Sequence, residues 1–484
     1  MASLKAIESH LDPDPQVRQR RVDPAVRPQT EFCHSESSKD GTNPFEIRFQ
    51  AEDAANPLNW SNERKWAYTL LVGVTMFNAT FASTLPSGAL RSITRAFYPT
   101  MAPIESALIT TIFVGGCVLG PCFWAPLSEI KGRRMTYLVS TAAYTLMQLG
   151  CALATSTAML LVFRFLSGAF ASSALTNAGG VITDLFPPMS RGTPMISHFF
   201  DIQAGPIFGP LVGGIVGEKA SWRWLFWLLM IIGCALEAAL FLLDETYAPL
   251  ILTQRAKQIR KEVGPRRSLK AILTVNLARP LVMMVTEPIV ALATVYMSFV
   301  FSLMFMFFAI WPLIFSRIGI YGFDPVKTGL SFTPMGVGCL IAAFMIPYFN
   351  RFYVRKSREA RRPVPEARLL PAFFVGPLLA LGLFCSGWTA RRDLHWILPM
   401  LAGLPIGCAM VLVFQGWLTY LGDAYGVHAT SAIAATVMAR SLAGATLPLA
   451  THWLVESLGG LGWTSTLLGG FSLIISPLPL IVYR

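Results

Sequence analysis

From Trp66 onward the chain repeats one pattern: about 20 predominantly apolar residues, a short polar interruption, then another apolar run. At 1.5 Å per residue, a helix of that length crosses ~30 Å of hydrocarbon. A helix also satisfies its own backbone polar groups, which lipid cannot do. Twelve such spans are predicted, six near 66–86, 107–127, 135–154, 159–182, 194–216 and 222–243. Six more follow near 287–312, 328–349, 369–388, 395–418, 429–452 and 463–483. Residues 1–65, with stretches such as PDPQVRQRRVDP, have no periodic apolar positions and are expected to form a disordered tail. Residues 244–283, with QRAKQIRKEVGPRRSLK, are too polar to cross and divide the spans six plus six. The expectation is an all-α membrane protein with a tail (1–65), a six-helix bundle (66–243), a central loop (244–283) and a second six-helix bundle (284–484).

Composition supports this reading. Of 484 residues, 54% are hydrophobic and only 14% charged, with a mean hydropathy of +0.53, so the bilayer is the natural solvent. The formal charge of +12 does not point to nucleic acid, because Lys and Arg concentrate in the loops after spans two, four, six and eight. An even number of crossings puts both termini on one side, and the basic loops make that side cytoplasmic. The eight cysteines lie mostly within apolar runs, without metal-ligand or disulfide-framework spacing. No GxxxxGK[ST] loop and no HExxH pair occurs, so neither an ATP-driven pump nor a metal-dependent membrane enzyme is expected, and no cofactor or metal is called for.

Three local patterns carry chemistry. After span two, Ala125-Pro-Leu-Ser-Glu129-Ile-Lys-Gly132-Arg133-Arg134 offers a tight turn at Gly132, with a carboxylate and two guanidinium groups able to form a charge network between helix ends. Arg164 lies inside span four, where a charge costs ~2.5–3.5 kcal/mol on insertion scales and calls for a partner. In span five, Gly205, Pro206, Gly209, Pro210, Gly213, Gly214 and Gly217 place small residues every four positions, so two backbones can approach closely, and the prolines can kink the helix. Together these resemble the major facilitator superfamily: its signature loop after span two, its Arg164…Gly168 motif, and the span-five run that marks its exporters. Glu129 stands where that family usually has Asp, Ala125 where it has Gly, and Ser167 where it commonly has Gln. NPLNW (56–60), WRWLFW (222–227), DETY (244–247), Glu287-Pro288, IYGF (320–323) and GDAYGVHATSA (422–432) leading to Met438-Ala-Arg440-Ser441 resemble its fungal twelve-span drug:proton antiporters in particular.

Ionisable residues inside the spans are few, chiefly Arg164, Glu237, Glu287 and Arg440, with His198 near the start of span five; each is a functional candidate, and the first four are the candidates for transport and proton coupling. Glu237, deep in span six, is the best-placed acid for proton exchange on position alone, with structural pairing to another helix as the alternative. Glu287, nearer a helix end, can equally be a terminal charge. Asn78, Gln148, Gln203, Tyr296, Phe299 and Gln415 are candidates to line an apolar cavity with a few orienting polar groups.

The resemblance implies a transporter, not an enzyme, that exchanges a bulky organic compound (drug, toxin or secondary metabolite) for protons. The partners expected are a small-molecule substrate, protons and membrane lipid, in a monomer without nucleic acid or an ATP-binding domain. A polyamine exporter and a solute-uptake carrier are the alternatives within this fold, and a non-transporting receptor is the alternative outside it. The plasma membrane is the expected location, with a vacuolar or vesicle membrane as the alternative.

Overall fold

The computed structural model describes residues 49–50, 52–97, 103–187, 190–260, 279–317, 319–361, 364–425 and 429–483. Twelve long helical segments cover the expected spans. In the first half they are α1 (Asn62–Gly88), α2 (Pro103–Gly116 and Gly120–Lys131, joined by the 3-10 turn Cys117–Leu119), α3 (Arg133–Ala152), α4 (Thr157–Leu185), α5 (Gly192–Lys219) and α6 (Arg223–Phe241). In the second they are α7 (Pro288–Phe315), α8 (Thr333–Glu359), α9 (Leu370–Thr389), α10 (Gly403–Tyr425), α11 (Ala429–Thr446) and α12 (Leu461–Ile475). Among the described residues ten helices are both long and apolar enough to cross a membrane. The other two, α3 and α5, are of crossing length, and α3 turns Thr136, Ser140, Thr141, Tyr144 and Gln148 inward.

Packing separates the halves. One hydrophobic core draws on residues from Trp60 to Leu240, the other on residues from Met283 to Leu468, with Val114 and Ile207 reaching into it from the first half. Apolar side chains also cover the outside: Leu70, Leu146, Val162, Phe241, Val295, Phe344 and Ile474 are all exposed, as a lipid-facing surface requires. The exposed tryptophans Trp224, Trp388, Trp396, Trp453 and Trp463 all lie at one end of the helices, away from the Gly132 loop, as in the aromatic belt of a membrane interface. That end is the aromatic end below, and the end holding Gly132 and residues 244–260 is the basic end.

The structure departs from the expected boundaries at two places. Residues 52–61, read as tail, are ordered: Asn56 Oδ1 accepts from Leu58 N–H, Lys65 Nζ donates to the Leu58 carbonyl at 2.7 Å, and Trp60 is buried against Tyr68. Asp and Asn side chains cap this turn locally, a signal that hydropathy does not register. Residues 1–48 lie outside the described residues. The central loop holds a helix, Ala248–Arg260, tied to the N-terminal segment by an ion pair between Arg255 and Asp53. Arg255 holds the Asp53 carboxyl below the usual carboxylate range.

Prolines and glycines set how α1, α4 and α5 meet. Pro86 has no N–H for the Ala82 carbonyl, and Pro210 has none for the Pro206 carbonyl, so each helix carries an unclaimed acceptor. Thr84 Oγ1 donates to the Pro206 carbonyl at 3.0 Å, joining α1 to α5. Gly205, Gly209 and Gly213 lie along that seam, where a methyl on Gly213 would stand 2.0 Å from the Leu85 carbonyl oxygen. Gly214 faces the second half instead, and a methyl there would meet the Pro325 carbonyl oxygen at 2.5 Å.

Candidate functional site

Two polar assemblies stand out against the apolar interior. The first is at the basic end. Gly132 joins α2 to α3 with φ +92°, in the left-handed region that favours glycine, and a methyl there would also strike the Glu245 carboxylate. Glu245 follows α6 and caps the start of α3, accepting from the backbone N–H groups of Arg133 (2.8 Å) and Arg134 (3.2 Å). The Arg133 side chain donates to Asp184 on α4 (3.2 Å), to Ser128 on α2 (2.7 Å) and to Asn177 on α4 (3.3 Å). Gly180 leaves room for its guanidinium, which also lies over the Tyr247 ring. Arg134 donates to the Phe241 carbonyl at 2.9 Å, and Asp244 pairs with Arg64 of α1. Glu129 is exposed at the end of α2, within electrostatic reach of Tyr247.

This network uses groups that the sequence did not single out for the task, Asp184 and Glu245. Their signal was faint: an acid two residues past the predicted end of span four, and the acidic pair of DETY. Because Glu245 caps two N–H groups, Glu245→Ala should destabilise α3 by about 1–2 kcal/mol. The check is a melting-temperature loss of a few degrees in the purified protein, with Glu245→Gln falling between that variant and the parent.

The second assembly runs through the middle of the bundle. Arg164 is fully buried and donates to three backbone carbonyls: Ala82 (2.7 Å) and Ser83 (3.1 Å) on α1, and Ile109 (3.0 Å) on α2. The Ala82 carbonyl is the one that Pro86 leaves unclaimed. The partner that an arginine in hydrocarbon demands is thus backbone, supplemented by the Phe113 ring 4.7 Å away. Beside it Gln148 donates to Ser167 at 2.7 Å, and Asn78, Tyr144 and Gln148 gather as a buried polar cluster in which the Tyr144 hydroxyl lies in hydrogen-bonding reach of both amides. Cys117 lies within electrostatic reach of both Arg164 and Arg440 of the second half. Arg440 is 4% exposed, flanked by the Phe301 and Phe414 rings at 5.4 and 5.3 Å, and its Nε has no partner among the described residues.

The remaining candidates divide. Among the described residues, Gln203 on α5 is buried with neither amide atom partnered, and Gln415 on α10 is buried with Oε1 unpartnered beside Phe349, Asn350 and Arg368. Tyr296 packs on Trp417 within the second half, and Phe299 turns toward α12, where it meets the exposed Phe471. Glu287 sits at the N-cap of α7 and accepts from Tyr425 OH at 3.4 Å, the position of a helix-terminal charge at the basic end. Glu237 is half-buried on α6 among exposed neighbours, Oε2 has no partner, and no ion pair joins it to Arg164. Among the described residues no group of His, Cys, Asp and Glu is placed to hold a metal ion.

Comparison with known proteins follows the same lines. Residues 69–448 match the family model of the Major Facilitator Superfamily. The chain is 34% identical over 454 residues to the major facilitator superfamily multidrug transporter mdrA of Aspergillus fumigatus, covering 91% of this chain and 74% of that one. It is 34% identical to the efflux pump FUBT of Fusarium oxysporum (91% and 76% covered) and 36% identical to the transporter prlG of a fungal species (90% and 93% covered). The fold is similar to that of the xylose transporter XylE of E. coli in a partially occluded inward-open conformation, with a TM-score of 0.65, 16% identity, and 86% and 97% of the two chains covered.

Proposed function

The chain belongs to the major facilitator superfamily of multi-pass membrane transporters, and from that premise we propose that it exports a bulky organic compound in exchange for protons. The observation that carries this reading is the string of enclosed polar atoms across both halves. Asn78, Tyr144 and Gln148 cluster in the first half, and in the second Arg440 Nε and Gln415 Oε1 have no partner among the described residues, so polar groups gather inside an apolar protein. Such groups are costly unless water or a ligand reaches them, so they suit a binding cavity between bundles 66–243 and 284–484. The direction rests on the α5 glycine–proline run and on relatives named as efflux pumps. The basic end faces the cytoplasm with both termini, the membrane is the plasma membrane, and the working unit is a monomer.

Exchange requires that protonation shift the balance between inward-open and outward-open states through a difference in binding energy. Glu237 is the proton site, a reading supported by its place inside a span and by the absence of an ion pair to it among the described residues. Arg164, held by three carbonyls, fixes the framework around which the halves rock. The test is dye efflux from transporter-deficient yeast expressing the chain, with and without a protonophore. Efflux should collapse when the gradient is removed, and Glu237→Gln should lower it about 10-fold, within the usual range of coupling energies, at unchanged protein level. Efflux indifferent to the protonophore would end the coupling claim, and dye accumulation in energised cells would reverse the direction.

A further inference from the structure

The two buried arginines differ in a way that assigns them different work. Arg164 spends its donors on three carbonyls. Arg440 makes no hydrogen bond and no ion pair with any described residue, although it is almost fully enclosed. It lies six residues before the end of α11, about 9 Å along the axis, and the residue is only 4% exposed. Burial of an unpaired cation is unfavourable enough that a partner arriving from outside the chain is the natural explanation.

The surroundings say what that partner is. Phe301 and Phe414 flank the guanidinium and meet edge to face, with ring centres 6.0 Å apart. Gly444, one turn beyond Arg440, seats Phe301: a methyl there would stand 2.7 Å from the ring. The rings add apolar surface and a cation–π contact but accept no N–H in the guanidinium plane. A planar fork of donors beside two aromatic rings suits a carboxylate carried on an apolar body. Arg164, across Cys117, adds a second positive charge, and no described carboxylate pairs with either arginine. A field of that sign repels a polycation, which counts against polyamine export.

We propose that Arg440, Phe301 and Phe414 form the subsite that receives the anionic group of the transported compound, and that the substrates are amphipathic organic carboxylates. This rests on the export reading for its route but not for its recognition, and the test separates the two. The full chain in lipid nanodiscs is equilibrated at neutral pH with 1-naphthoate, ionised there, and separately with its neutral amide, 1-naphthamide, empty nanodiscs serving as reference.

The acid should bind about 10-fold or more tightly than the amide, as expected for a charge-assisted pair. Arg440→Gln should erase that preference while leaving amide binding within about twofold, and Arg440→Lys should restore part of it. A parent protein that binds the two equally, prefers the amide or takes up neither overturns the proposal, as does an Arg440→Gln variant that keeps the preference. Should that variant fail to fold, the parent's acid-to-amide ratio still decides. In proteoliposomes, acid preference without proton-driven movement defeats the coupling claim alone. Proton-driven movement without acid preference defeats the subsite alone.

Discussion

Arg164→Leu is expected to deplete the folded protein from the membrane instead of merely slowing transport. The substitution takes a charged donor from three enclosed carbonyls, those of Ala82, Ser83 and Ile109, and leaves that of Ala82 with no donor at all. Hydrogen bonds to charged groups contribute ~1.5–3 kcal/mol each, so the combined loss is at least about 4 kcal/mol, a large share of the stability of a typical protein. The Ala82 carbonyl has nowhere to turn, because Pro86 cannot donate to it. Arg164→Lys reaches one carbonyl at a time and should fall between. Fluorescence-detected size-exclusion of a tagged protein measures this directly: a monodisperse Arg164→Leu peak of parental height would show that the arginine is dispensable for folding.

The second large effect concerns the seam between α1 and α5. Gly213→Ala would set its methyl against the Leu85 carbonyl oxygen, with Gly88 on the other side, so only main chain could yield. Overpacking of this kind costs about 1–3 kcal/mol, and more where backbone must move. Gly209→Ala meets the Thr84 hydroxyl at 2.2 Å, costing its bond to Pro206, and main chain only at 2.9 Å, so it should be milder. Gly470 on α12 has open space around it, so Gly470→Ala should be neutral or gain the ordinary helix preference of alanine, ~0.5–1 kcal/mol. Thermal stability of the three purified variants should rank Gly470→Ala, Gly209→Ala, Gly213→Ala from most to least stable. A Gly213→Ala protein as stable as its parent would show that the seam tolerates separation.

These two cases also mark what could be read from residue order. Helices long enough to cross hydrocarbon follow from run length alone, because lipid admits no other use for 20 consecutive apolar residues. The glycine spacing of α5 was legible for the same reason: it states a face and a separation. That face, Gly205, Gly209, Gly213 and Gly217, meets α1 and its C-cap throughout, while Gly214, in the next register around the helix, meets the second half. The partner of Arg164 was harder. A charge in a span suggests a carboxylate, and the structure supplies backbone exposed by a proline 78 positions earlier in the chain. The acids of the basic-end network are separated from Arg133 by 51 and 112 residues, beyond the reach of any local pattern. Trp60 and its capped turn escaped for the opposite reason: the signal was local, but it was written in side-chain acceptors, not in hydropathy.

The seam has one mechanical consequence. With Thr84 claiming the acceptor on α5 and glycines removing all slack, α1 and α5 are keyed like a tongue in its groove and must travel as one piece. Whatever slides when the carrier changes state slides elsewhere, along α2 beside α11, where Cys122 and Met438 make a soft sulfur contact, and along α5 beside α8.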